Sequence, residues 1–168
     1  MVRIIGIDPG LRRCGWGVIE SEGNRLRYVA CGTRTPPTDI GLAERLAALH
    51  SGLRDLIELH RPDEAAVEET FVNKNPASAL RLGMARGVVL LAPAERGLPV
   101  YEYATNLVKK STVGTGHAEK AQVQMMVARL LPGAGQEENA CDALAVALCH
   151  AHHAATARAV ALAAGGAR

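Results

Sequence analysis

Three acidic residues in this chain stand where a carboxylate would do more than solvate a surface. Asp8 ends the apolar, β-branched run Val2 to Ile7 and opens the turn Asp8-Pro9-Gly10. Glu68 follows Ala65-Ala66-Val67 in the same way. Asp142 lies early in Asn139-Ala-Cys-Asp-Ala-Leu-Ala-Val-Ala-Leu148, a helical segment so apolar on most sides that it must pack against a sheet. A carboxylate at the end of a buried strand is partly desolvated, which costs free energy unless a partner offsets it. Each acid also has an ordinary reading. Asp-Pro-Gly is turn chemistry, and an acid early in a helix interacts well with the positive end of the helix. Taken together, two acids at neighbouring strand ends and one on a packed helix make an oxygen-rich pocket, with Asn139 three residues before Asp142 on the same helix face. Hard oxygen ligands select Mg²⁺ or Mn²⁺ over zinc. Two such ions about 4 Å apart can activate water and stabilise a leaving oxygen in phosphodiester hydrolysis.

Other residues could meet a polyanion. Phe71, the one phenylalanine, sits in the polar stretch Phe71-Val-Asn-Lys-Asn-Pro76 just after the Glu68 strand. An aromatic there can wedge against bases, or it can anchor the base of the loop in the core. Lys109-Lys110 and Lys120 flank Val113-Gly-Thr-Gly-His117. Glycines before a helix expose N–H groups that could cradle phosphates, although a glycine turn beside a solvated lysine pair is the plainer reading. Lys74, Arg81 and Arg86 are further candidates for backbone contacts. The cluster Cys149-His150-Ala-His152-His153 fits no common zinc spacing, and a helix would splay it over several faces, so it reads as a solvated, frayed helix end.

The elements that must position these residues follow from periodicity. Val2 to Ile7, Cys14 to Ser21 and Arg25 to Thr35 read as strands, with Ser21-Glu-Gly-Asn24 as a hairpin turn. Short connections make the three antiparallel. Leu42, Leu46, Leu49, Leu53, Leu56 and Ile57 recur at helical spacing, with Thr38 or Asp39 as N-cap and Pro62 as the stop. Ala65 to Val67 and Val100 to Tyr103 are two more strands. Pro76 to about Leu91, Ala118 to Leu131 and Asn139 to about Ala155 are helices, and the Ala/Gly-rich stretch 156–168 is expected as an unstructured tail. The order β-β-β-α-β-α-β-α-α gives an α/β domain over residues 1–155, a mixed sheet flanked by helices.

Composition narrows the function without choosing it. A chain of 168 residues with 48% apolar and 21% charged residues is an ordinary single-core globule. Its 19 basic and 17 acidic residues leave a net charge of +2, which excludes a polybasic wrapper but permits a local basic cleft. Four scattered cysteines, with no export signal ahead of them, read as reduced thiols. The longest apolar stretch, Gly87 to Ala94, is far shorter than the roughly 20 residues of a membrane span. A cytoplasmic protein with no membrane partner is expected.

The motifs in sequence order resemble the RuvC family of Holliday-junction endonucleases. The resemblance is carried by Gly6-Ile-Asp-Pro-Gly10, Gly15-Trp-Gly17, Ala66-Val-Glu68, Asn73-Lys-Asn75, Ala79-Leu-Arg-Leu-Gly83, Ala85-Arg-Gly87, Val113-Gly-Thr-Gly116, Ala118-Glu-Lys120 and Asp142-Ala-Leu-Ala145. It runs from about Val2 to His153. It implies a ribonuclease-H-like five-stranded sheet and a homodimer that nicks two strands of like polarity in four-way DNA junctions during recombination and repair. It implies two Mg²⁺ per subunit, replaceable by Mn²⁺, on Asp8, Glu68 and Asp142. The family places a fourth ligand, usually Asp and in some members His, three residues before the last acid, and this chain has Asn139 there. Asn keeps a carbonyl oxygen but loses the charge, so impaired cutting is expected, and a junction-binding protein without cleavage activity is the alternative. Lys109 and Lys120 match lysines needed near the scissile phosphate, Phe71 matches a base-stacking residue, and Lys110 has no match. The resemblance further implies the RuvA–RuvB branch-migration complex as a partner. Two rivals remain. A sugar-kinase or actin-like ATPase also has a phosphate loop after its first strand, as Asp8 to Gly15 could be, but it closes two lobes on ATP and this length holds one. A ribonuclease H would act on RNA–DNA hybrids instead.

Overall fold

The computed structural model describes residues 1–69, 75–135 and 137–165, with side chains described as far as residue 154. Strands β1 (Val2–Asp8), β2 (Cys14–Glu22) and β3 (Arg25–Arg34) form an antiparallel meander. β4 (Glu64–Glu69) joins β1 in parallel and β5 (Val100–Ala104) joins β4 in parallel, giving the order β3-β2-β1-β4-β5. The mixed five-stranded sheet expected from periodicity is the one observed.

Two apolar layers hold helices on the sheet. Ile5, Ile7 and Val67 pack with Leu49, Leu53, Ala85 and Val89, which places α1 (Leu42–His60) and α2 (Pro76–Ala94) on one face. Ile4, Ala66, Val108, Val127, Leu144 and Leu148 form the other layer, which places α3 (Thr105–Val113), α4 (Lys120–Leu130) and α5 (Glu138–Gly165) on the opposite face. α5 lies directly on β1 and β2 because glycines there remove the side chains that would hold it off. A Cβ on Gly6 would sit 2.2 Å from the Ala143 carbonyl oxygen, and one on Gly15 would sit 2.0 Å from that of Asn139.

Several local expectations are corrected. α1 is capped at Gly41, not at Thr38 or Asp39, because the Glu44 carboxylate turns back to accept the Gly41 N–H at 2.6 Å. α4 starts at Lys120, where the Gln122 side chain accepts the Glu119 N–H at 2.8 Å. α3 is an additional helix, so Lys109 and Lys110 stand on a helix and not in a loop. α5 continues beyond residue 155 to Gly165, as its alanine content favours. By length and mean hydropathy (1.2), α2 is long and apolar enough to cross a membrane, contrary to the expectation that no such stretch exists. Pro93 falls in its last turn and so does not break the helix. Ala85, Val89 and Ala92 of α2 are buried against the domain.

The Cys149–His153 cluster is not a solvated end. Cys149 is buried, and His150 is 1% exposed with its ring between Tyr103 and Glu64. His152 and His153 are exposed. All four cysteines are free thiols, and burial pushes that of Cys14 up to about 12.

Candidate active site

The pleat decides which way the acids point. Successive strand residues alternate faces, so Ile4, Gly6 and Asp8 share the α5 face of β1, as Glu64, Ala66 and Glu68 share that of β4. The parallel register pairs Ile7 with Val67, which makes Asp8 and Glu68 the next neighbours across the ladder. Asp142, in the second turn of α5, comes down on the same edge. These three carboxylates, with Thr105, Val108 and Lys109 of α3, Lys120 and Val123 of α4 and Ala145 of α5, line a cavity of about 260 Å³.

Electrostatics mark this cavity out. Burial, then the negative charge of Glu68 and Asp142, pushes the Asp8 carboxyl up to about 8. A side-chain hydrogen bond joins Asp8 to Glu68, and it raises the Asp8 carboxyl while lowering that of Glu68. Glu68 is raised by burial, against the hydrogen bond from Thr105. Asp142 is raised by burial too, against the pull of Lys120. Lys120 Nζ lies 2.9 Å from Asp142 Oδ2 and also pairs with Glu138. Burial pulls the Lys120 ammonium down, but the two carboxylates outweigh it and its net shift is upward.

Among the described residues, no three ligating side chains close on one point. Asp8 and Glu68 are turned on each other and Asp142 on Lys120. The donor chemistry nevertheless fits a hard divalent cation. Three carboxylates crowd one edge, two of them are hydrogen-bonded to each other, and the third is neutralised by an ammonium.

The other expected residues are placed as follows. Asn139 lies one turn before Asp142 but does not line the cavity, and its backbone packs on Gly15. Lys110 is exposed on α3 and outside the cavity lining. Arg86 is ion-paired to Glu102 of β5. Arg81 is exposed near the start of α2. Phe71 and Lys74 lie outside the described residues. Sequence reasoning missed Thr105, which holds Glu68, and Glu138, which holds Lys120. The one available signal was that Glu138 lies four residues before Asp142, on its helix face.

A mixed sheet in this order, with acids at the ends of β1 and β4 and a third on the covering helix, defines a ribonuclease-H-like domain. The family model for crossover junction endodeoxyribonuclease RuvC matches residues 4–150. A crossover junction endodeoxyribonuclease RuvC of Azorhizobium caulinodans is 66% identical over 154 residues, covering 91% of each chain. One from Agrobacterium fabrum is 58% identical over 153 residues, 90% of each chain. The structure of Thermus thermophilus RuvC in complex with Holliday junction substrate matches with TM-score 0.86 and 32% identity, covering 94% of this chain and 97% of that one. This chain belongs to the RuvC family.

Proposed function

We propose that this chain is a Holliday-junction resolvase, a metal-dependent endonuclease that nicks two strands of like polarity in four-way DNA junctions. The observation that carries the reading is the convergence of Asp8, Glu68 and Asp142 with Lys109 and Lys120 on one cavity in a chain of this family. Asp8, Glu68 and Asp142 would hold the metal, with Asn139 at the position of the fourth ligand. When bound, Mg²⁺, two per subunit and replaceable by Mn²⁺, would supply charge neutralisation at the phosphate and a more acidic attacking water. Lys120 and Lys109 contribute fixed positive charge on the α3–α4 side, where they would bind the non-bridging oxygens of the scissile phosphate. Val108, Val123 and Ala145 give the cavity apolar lining on that side. Phe71 would stack on bases beside the cut. Lys74, Arg81 and Lys110 would add contacts to the DNA backbone, and Arg86 would do so only by giving up Glu102.

A four-way junction offers two equivalent sites, which a two-fold symmetric dimer matches. The open face of α2, with Leu80 62% and Leu91 51% exposed and Gly83 and Gly87 leaving room for close approach, is the surface proposed for that dimer. The RuvA–RuvB complex is the proposed partner and the cytoplasm the proposed place of action.

Asn139 favours a second reading, a protein that grips junctions without cutting. Single-turnover nicking of a synthetic junction with Mg²⁺, beside linear duplex and RNA–DNA hybrid, separates the readings. Cutting confined to the junction supports the resolvase. Binding without cutting, with cutting gained by Asn139→Asp, supports the second reading. Preference for the hybrid or no junction binding removes both.

A further inference from the structure

A second charged site lies round the corner from the cavity. The β1–β2 loop, the first turn of α1 and the start of α2 enclose a cleft of about 670 Å³ lined by Arg12, Arg13, Arg45, Ser78 and Arg81. Among the described residues, no carboxylate lines it. In a chain of net charge +2, four guanidinium groups around one opening are a local concentration of charge that the composition does not predict. Arg12 and Arg81 are exposed and make no ion pair among the described residues.

The cleft is held in shape. Arg45 Nη2 donates to the Leu11 carbonyl oxygen at 3.0 Å, which pins the loop to α1 while the arginine keeps its charge. The first free N–H groups of α2 are already used, since Asn75 Oδ1 accepts from Ala77 N at 3.0 Å and from Ser78 N at 3.3 Å. The donors left to a ligand are the guanidinium forks and the Ser78 hydroxyl. That set suits oxyanions spaced along a strand better than one buried ion. The position points to the same ligand, because the loop carrying Arg12 and Arg13 leaves the sheet at the end of β1, where Asp8 stands. Arg13 is near enough to Glu138, the ion-pair partner of the cavity's Lys120, for the two charges to interact.

We propose that this cleft binds the sugar–phosphate backbone of a duplex arm as the strand passes from the acid cavity over the end of β1. Arg12 and Arg81 clamp the phosphates, and Arg45 positions the loop. The inference rests on the reading of the chain as a DNA junction endonuclease. It adds a binding site on the α1–α2 side of the sheet to the one on the α5 side.

The test compares two double variants with equal loss of charge, Arg12→Gln with Arg81→Gln in the cleft and Arg54→Gln with Arg129→Gln on exposed helix surface elsewhere. Affinity for a fluorescent four-way junction is measured without divalent metal over a range of salt, with thermal midpoints as the control for folding. The cleft variant should bind more weakly, on the order of tenfold, with a salt slope smaller by about two. The surface variant should keep affinity and slope. Arg12→Lys with Arg81→Lys should recover the slope but not all the affinity, because charge persists while the fork is lost. If both glutamine variants weaken binding alike, only net charge matters and the cleft is no site. If neither does while the unaltered chain binds, the cleft is solvated surface. If the unaltered chain binds no junction, the reading of the acid cavity falls and the cleft falls with it.

Discussion

His150 Nε2 lies 2.7 Å from Glu64 Oε2, and this contact ties the start of β4 to the fourth turn of α5. Its other ring nitrogen, Nδ1, is 2.7 Å from Tyr103 Oη on β5, and Tyr101 packs on the ring with centroids 4.5 Å apart. The two elements so joined carry Glu68 and Asp142. A buried polar chain of this kind holds its members in one arrangement, and any member removed costs its neighbours a hydrogen bond. His150→Phe should therefore destabilise the protein by about 3 kcal/mol. Urea unfolding measures this. Tyr103→Phe in the same background should cost less than it does alone, because its partner is already gone.

Gly6→Ala should lower stability by about 1–3 kcal/mol, the usual range for overpacking a closed core. The added methyl meets α5 backbone, not the movable end of a side chain. Thermal denaturation should show this loss.

Lys120→Ala frees Asp142 and Glu138 from their shared cation. Nicking at saturating junction should fall by roughly 10²-fold, as for loss of one fixed charge at a reacting oxyanion. Lys109→Ala should act in the same direction. Single-turnover assays with anisotropy in parallel would separate rate from binding, and unchanged rates in both variants would return the lysines to ordinary surface.

Glu20 gives the fold an acid-sensitive point remote from the cavity. Its carboxylate is held at 2.6 Å by Arg3 and at 2.6 Å by Arg27, and the Arg3 hydrogen bond leads the causes that hold its pKa below the ordinary range. A carboxyl depressed on folding stabilises above its unfolded pKa and loses that contribution as pH falls through the folded value. Glu20→Gln should flatten the fall in stability on the acid side of the ordinary carboxylate range and leave the alkaline side unchanged. Denaturant midpoints across pH would show it.

Asp8 and Glu68 were legible because each ends an apolar run, and Asp142 because it lies early in an apolar helix; strand alternation turns the first two toward that helix. Asp8 and Glu68 needed no knowledge of distant contacts. α3 was not legible. Thr105 to Val113 has β-branched residues at both ends, begins after Ala104 with no side-chain cap, and runs into glycines that look like a loop. The histidine cluster was misread for a different reason. Its partners, Glu64 and Tyr103, are on strands far away in sequence, so a polar residue on an apolar helix looked like a fraying end. Thr105 and Glu138 were missed likewise, since a hydrogen bond between elements leaves no periodic trace.

Asp8 and Glu68 directly follow Ile7 and Val67, the last partners of a parallel ladder, so their backbones leave the sheet from points set at the interstrand distance of about 4.8 Å. Neither can move without breaking the sheet. Asp142 has no such constraint, because it rides on a helix held by side-chain packing over glycines. The centre is thus a vice with one jaw cast into the frame and one on a slide. Substitutions along α5 can roll or shift the third carboxylate by fractions of an ångström and leave the first two in place. On the proposed reading, in which the three acids hold a metal ion, variation along one helix would tune the grip, with the sheet as a ruler that every variant inherits.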